Sequence, residues 1–282
     1  MIRENLNNVP IAWANLTHNR KNLANALAGI TFAVLLMFMQ IGFLNALLDS
    51  TVQFLQILDA DLLLINKLTG SVISGPEPFD RSRVFQAEGF PGVGKAHYVR
   101  LSEMLWKNPE TGYKNAVRVV AFNPEQQVFL DREINSHLND LKKSETVIFD
   151  RLSKKHFGPV FKGVVSEIEN RSASIVGNFS LGTDFVAAGT VMMSNKNFLN
   201  LVQKNSLTSE YNKAEIGLIK ISPGEDAKKI ADSLKGLFEK DLLVLTKEDL
   251  INKERDYWLT GTPVGFVFGL GAIMGFVVGA II

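Results

Sequence analysis

Two uncharged runs, residues 22–48 and 257–282, bracket a middle section that carries nearly all the Asp, Glu, Lys and Arg of the chain. They are 27 and 26 residues long. A bilayer core is crossed by about 20 apolar residues of helix, so each run is long enough to span it. Between residues 27 and 48, about a dozen Leu, Ile, Val and Phe each favour insertion by roughly 0.3–0.6 kcal/mol. Their sum outweighs Asn25, Gln40 and Asn45. The chain therefore reads as a membrane protein with two transmembrane helices. The average composition, 46% hydrophobic and 21% charged with net charge +1, conceals this because the long polar middle dilutes both ends.

The first run is not a cleaved leader. Its apolar core is about twice the usual 7–15 residues, it begins some twenty residues in, and no small-x-small site follows it. Arg3, Arg20 and Lys21 precede it, whereas the residues just after it offer Asp49, Asp59 and Asp61 against one Lys67. That asymmetry puts the N-terminus in the cytoplasm and the middle section outside. Lys240, Lys247, Lys253 and Arg255 argue the opposite, but the first helix usually dominates and long domains translocate largely regardless of charge. Arg20 and Lys21 are then the inner anchors, and Tyr257 and Trp258 fall at an outer aromatic belt. Before the first run, Val9, Ala12, Trp13 and Leu16 recur at helical spacing behind Pro10. Residues 1–21 are expected as a cytoplasmic, interfacial amphipathic segment, or as the first turns of one long membrane helix.

The middle section alternates strand and helix patterns. An apolar run at 60–66 reads as a buried strand, 80–90 as a helix ending at Gly89, and 97–106 with 115–122 as a hairpin around an Asn-Pro and Thr-Gly turn. A strand at 215–222, a helix at 225–240 with Ile230, Leu234 and Phe238 on one face, and a strand at 242–246 form a second unit. The expected fold is α+β: an α/β lobe from 58–122 plus 213–247, interrupted by a β-rich lobe at 123–212, with two consecutive domains as the alternative. Within the insertion, helices are expected near 133–142 and 150–157, and strands near 160–169, 173–176 and 185–193. Residues 22–57 and 248–262 continue the spans as helical stalks, so that the outer domain is coupled rigidly to the membrane, with the second span at 263–282.

Several chemistries are excluded. The stretch 89–96, "GFPGVGKA", satisfies the spacing of a phosphate-binding loop, but Ala96 lacks the hydroxyl that holds Mg²⁺. It also lies between a helix and a strand in the wrong order, and is best read as a connecting loop. Cysteine is absent, and the four histidines, His18, His97, His137 and His156, are scattered without metal-ligand spacing. No nucleophile elbow is present. Lys and Arg are interspersed with Asp and Glu, which leaves no basic surface for nucleic acid. There is accordingly no candidate catalytic, cofactor-binding or metal-ligating residue. The candidate site residues are instead glycines of the last run: Gly265 and Gly269, and Gly271, Gly275 and Gly279, recur every four residues and let another helix approach closely. That helix is expected to be the chain's own first span, with Gly29 and Gly42, or a partner subunit.

The stretches "WANLTHNRKNL" (13–23), "WKNPETG" (106–112), "FNPEQ" (122–126), "IFDRLSKKHFGPV" (148–160), "GNFSLGTDF" (177–185) and "ERDYWLTGTPVGFVFGLG" (254–271) occur in order along the chain. On these the chain resembles the MacB/FtsX-type permeases of ABC transporters, and more closely their cyanobacterial DevC branch. The resemblance implies a two-lobed, MacB-like periplasmic core domain and a homodimeric permease that is not itself an enzyme. ATP and Mg²⁺ would be bound by a separate ABC ATPase subunit. A periplasmic adaptor, or membrane fusion protein, and an outer-membrane channel would complete a mechanotransmitting exporter of lipid or glycolipid. Such permeases continue into two further spans and an ATPase-contacting loop; this chain ends at Ile282, as a truncated or split permease would. Rival readings are a two-span sensor with an outer ligand-binding domain and an FtsX-like regulatory scaffold.

Overall fold

A computed structural model of the chain describes residues 18–202 and 211–281, with side chains up to 279. The amphipathic pattern around Val9–Leu16 lies outside the described residues. The chain divides into a helical unit, within residues 1–46 and 258–282, and a mixed α/β unit, Leu47–Tyr257.

The helical unit holds most of α1 (Arg20–Gln56) and all of α8 (Pro263–Ile281). Helix α1 is 37 residues long, about 55 Å at 1.5 Å per residue, and its apolar stretch meets the length and hydropathy needed to cross a membrane. Phe32, Phe38 and Phe43 are 62%, 70% and 57% exposed, and Phe266 and Phe276 of α8 are 70% and 69% exposed. Apolar surface of that extent is costly in water and ordinary in lipid. Helix α8 starts where the sequence demands. Thr262 accepts from the amide of Val264 and donates to the carbonyl of Trp258, and Pro263 occupies the first helical position, where no N–H is needed.

In the α/β unit strand pairing among the described residues runs through nine strands in the order β11-β1-β10-β3-β4-β8-β5-β7-β6, as two sheets joined through β3, and β2 (Phe79–Asp80) pairs separately with β9 (Lys213–Ala214). Strand β1 (Leu62–Asn66) lies between β10 (Ile216–Ile221) and β11 (Leu242–Thr246), antiparallel to both. Its apolar run has no polar face because both sides are covered. Leu62 and Leu64 meet Ile230, Leu234 and Phe238 of α6 (Ala227–Phe238) and Val84 and Ala87 of α2 (Ser82–Glu88), whereas Leu63 and Ile65 join Leu55, Leu58 and Leu250. Asp226 starts α6 by accepting the amides of Lys228 and Lys229. At the supposed phosphate loop, α2 ends at Glu88 and β3 begins at Val93, with Gly92 at φ +86° in the turn. No helix follows Lys95 to bind a phosphate.

Strand β3 (Val93–Lys107) is long enough to serve two sheets. Residues 93–99 pair with β10, and residues 100–107 pair with β4 (Lys114–Phe122). Strand β4 is parallel to β8 (Thr190–Ser194), β8 pairs with β5 (Thr146–Asp150), and β5 is parallel to β7 (Arg171–Phe179). Strand β6 (Val165–Ile168) then pairs with β7 and, through Trp106↔Ile168 and Lys107↔Glu167, with β3. The pairing has returned to its start, so six strands close a ring around Trp106, Phe149, Phe157 and Met193. The closing contact between β3 and β6 is short, two residue pairs.

Two expectations change. The changeover between sheets falls inside β3, near residue 100, whereas the sequence suggested residue 123; the hairpin read as part of the first lobe supplies two strands of the ring. The helix expected at 150–157 is instead the end of β5 followed by a 3₁₀ turn, Lys155–Phe157. The fully buried Asp150 carboxylate draws in the amides of Leu152, Leu181 and Gly182, which pulls the backbone out of a helical course.

Candidate functional site

A cluster of engaged charged residues lies where α1 ends and α7 (Lys247–Thr260) begins. The last carbonyls of a helix have no intrahelical donor and carry partial negative charge. Lys247, the first residue of α7, supplies both needs to α1: its Nζ lies 2.7 Å from the carbonyl oxygens of Gln56 and Leu58. Burial pushes the Lys247 ammonium below the ordinary lysine value, and Lys220 adds to this while Asp59 and Asp61 oppose it. Beside it, Lys220 bridges Asp59 at 3.0 Å and Asp61 at 3.2 Å. Burial works against that ammonium too, yet the hydrogen bonds it donates to the two carboxylates, with their charges, outweigh it and the pKa stands above the ordinary value.

Farther along α7 a second set of contacts holds the helix to the β1–β2 connection, β2 being Phe79–Asp80. Lys253 donates to the carbonyls of Thr69 and Gly70, both at 2.8 Å. Glu254, 1% exposed, accepts from the Ser71 hydroxyl and from the Val72 amide at 2.7 Å. Arg255 reaches Asp49 of α1 at 2.8 Å. The Tyr257 ring lies so close to Gly70 that a Cβ there would stand 2.9 Å from Cε2. Entry and exit helices of the unit are thus tied to each other and to one loop.

The candidate residues from the sequence divide by place. Arg20 and Lys21 are exposed at the start of α1. Tyr257 is half-buried and Trp258 is 5% exposed. Within the helical unit, a Cβ on Gly271 would meet the Gln40 amide at 2.3 Å, one on Gly275 would meet Met37 at 2.7 Å, and one on Gly279 would meet Ala33 at 3.4 Å. These three glycines therefore lie against α1, running antiparallel to it. Gly269 and Gly42 face open space, and Gly265 is pressed against the backbone of Leu259. Among the described residues no His, Asp or Glu group is arranged to hold a metal ion.

Lys247, Lys220, Asp59, Asp61 and Glu254 were not among the candidates. In the sequence, Lys247 and Lys253 count only as positive charges near a span, and Glu254 only as part of the 248–262 stalk and the 254–271 stretch. Their partners are up to 191 positions away. The quoted motif stretches also meet in space. Trp106 Nε1 donates to the Phe157 carbonyl at 3.1 Å, Asn108 Nδ2 donates to that of His156 at 2.9 Å, and Asp150 holds Leu181 and Gly182. Gly158, at φ +80°, is packed on Asn108 so tightly that no Cβ fits.

No protein-family model and no curated protein matches the chain. Among solved structures, it is similar to the periplasmic region of MacB from Actinobacillus actinomycetemcomitans, at 13% identity and a TM-score of 0.45, over 68% of this chain and 91% of that one. It is also similar to the extracellular domain of the noncanonic ABC-type transporter YknZ from Gram-positive bacteria, at 11% identity and a TM-score of 0.40, over 66% of this chain and 99% of that one.

Proposed function

We propose that this chain is a permease-type subunit of an ABC exporter, with α1 and α8 in the inner membrane and Leu47–Tyr257 in the periplasm. The observation that carries this reading is the double tie at the junction. Lys247 caps the end of α1, and Arg255 and Glu254 fasten α7 to α1 and to the 69–72 loop. A displacement of either helix is then delivered to the sheet as a whole. The resemblance of the six sequence stretches supports the same role. A separate ABC ATPase supplies the work, a second copy of the chain completes a homodimer, and a periplasmic adaptor leading to an outer-membrane channel receives the motion. The cargo is a lipid or glycolipid.

The test is capture of the tagged full chain from crosslinked native membranes, followed by mass spectrometry. An ABC ATPase subunit and an adaptor protein are expected at near-stoichiometric yield. Recovery of a cytoplasmic signalling protein, with neither of these, would overturn the permease reading in favour of a two-span sensor.

A further inference from the structure

On one face of the β3–β4 hairpin, an open cavity of about 410 Å³ is lined by the 72–76 loop and by residues 186–188. That volume lies within the ~300–1,000 Å³ of small-molecule sites. Its walls are held by one buried ion pair. Arg118 and Asp184, with side chains 8% and 6% exposed, are joined through both guanidinium Nη atoms and both carboxylate oxygens. The same guanidinium donates to the Ile73 carbonyl at 3.4 Å in one wall. Asp184 accepts the amides of Val186 and Ala187, each at 2.8 Å, in the other. The pair therefore builds the cavity, and its two charges are spent on each other.

One charge in the lining is not spent. Glu103 stands directly opposite Arg118 in the antiparallel register of β3 and β4, so both side chains share a face of the sheet. Arg118 is turned to Asp184, and the Glu103 carboxylate, exposed at the mouth, has no side-chain partner among the described residues. Arg118, its partner Asp184 and Glu103 sum to one negative charge; His156 is the other titratable side chain in the lining. Leu101, Val72 and Ala187, farther in, are buried and apolar. An anion would have to displace Asp184 from a desolvated bidentate pair, which is strongly unfavourable. We infer that this cavity binds a small organic cation, an ammonium group at Glu103 with its apolar body against Leu101 and Ala187.

This inference does not rest on the exporter reading and is tested separately from it. The full chain in lipid nanodiscs is titrated with 3-phenylpropylamine, 3-phenylpropanol and 3-phenylpropanoate, with empty nanodiscs as the partition control. The amine is expected to bind roughly fivefold more tightly than the alcohol, the strength of one partly exposed charge pair. Glu103→Gln should bring amine and alcohol together without weakening the alcohol. Ala116→Trp, an exposed lining position, should weaken both by filling the space. Equal binding of amine and alcohol to the unaltered chain, an amine preference that survives Glu103→Gln, tighter binding of the carboxylate, or no binding of any of the three would overturn the inference.

Discussion

Glu254 is flanked by Lys253, Arg255 and Asp256, a run that in sequence belongs on a solvated helix face. Its carboxylate is nevertheless buried against Ser71 and Val72, 183 and 182 positions away. Glu254→Ala leaves those donors buried without an acceptor, a loss on the order of 3 kcal/mol. In a unit of this size that lowers Tm by roughly 6–12 °C. Glu254→Gln keeps one acceptor oxygen and should fall about half as far. Scanning fluorimetry of the full chain in detergent reads both; an unchanged Tm in Glu254→Ala means α7 is not clamped there. His97 gives a pH-dependent counterpart. It is 9% exposed, its Nδ1 has no hydrogen-bond partner, and burial lowers its pKa from 6.5, against opposing contributions from the Ala96 backbone and Glu88. The folded state holds this ring neutral where the unfolded chain protonates. Stability from this residue is therefore lost as pH falls from 6.5 toward the lower folded value, and is constant below that. His97→Gln should show a smaller drop in Tm between pH 7.5 and 5.5 than the unaltered chain; an equal drop assigns the acid sensitivity elsewhere.

Elements were legible where their pattern is local. The run at 60–66 has no alternation, which marks a strand covered on both faces, and β1 is that strand. The helix at 225–240 shows its apolar stripe, and α6 follows it; its Asp226 cap is read from the structure. The segment 150–157 was misread because the side-chain acceptor that bends it, Asp150, binds amides some thirty residues later. The spacing of the α8 glycines identifies two ridges but not which one is used. The cysteine-free chain makes the choice measurable. A Cβ on Gly279 would lie 3.4 Å from that of Ala33, close to the ~3.5–4.5 Å that a disulfide requires. Ala33→Cys with Gly279→Cys should therefore oxidise to an intramolecular disulfide. Adding Gly275→Leu, which collides with Met37, should reduce its yield severalfold, whereas Gly269→Leu, facing open space, should not. Equal yields in all three backgrounds would show that the two helices do not meet along this ridge.

For the whole molecule, the reading depends on which side of the membrane each unit occupies. Lys228→Cys, exposed on α6, should react with a membrane-impermeant maleimide in intact spheroplasts, and Arg20→Cys should react only after permeabilisation. The reverse pattern would falsify the periplasmic assignment and with it the exporter proposal, but would leave the cavity and its cation preference standing. The chain's own order of residues determined the two apolar helices, the strands β1, β10 and β11, and the failure of the 89–96 stretch as a phosphate loop. In each of these the deciding terms, transfer of side chains from water and backbone hydrogen bonding at a fixed period, add up over neighbouring residues. Only the tertiary structure decided that β3 is shared between two sheets, that six strands close on themselves, that Lys247 caps α1, and that Arg118 is spent on Asp184 while Glu103 is left over. Those outcomes join groups tens to nearly two hundred positions apart, and whether a charge is wet or paired is a property of the space around it.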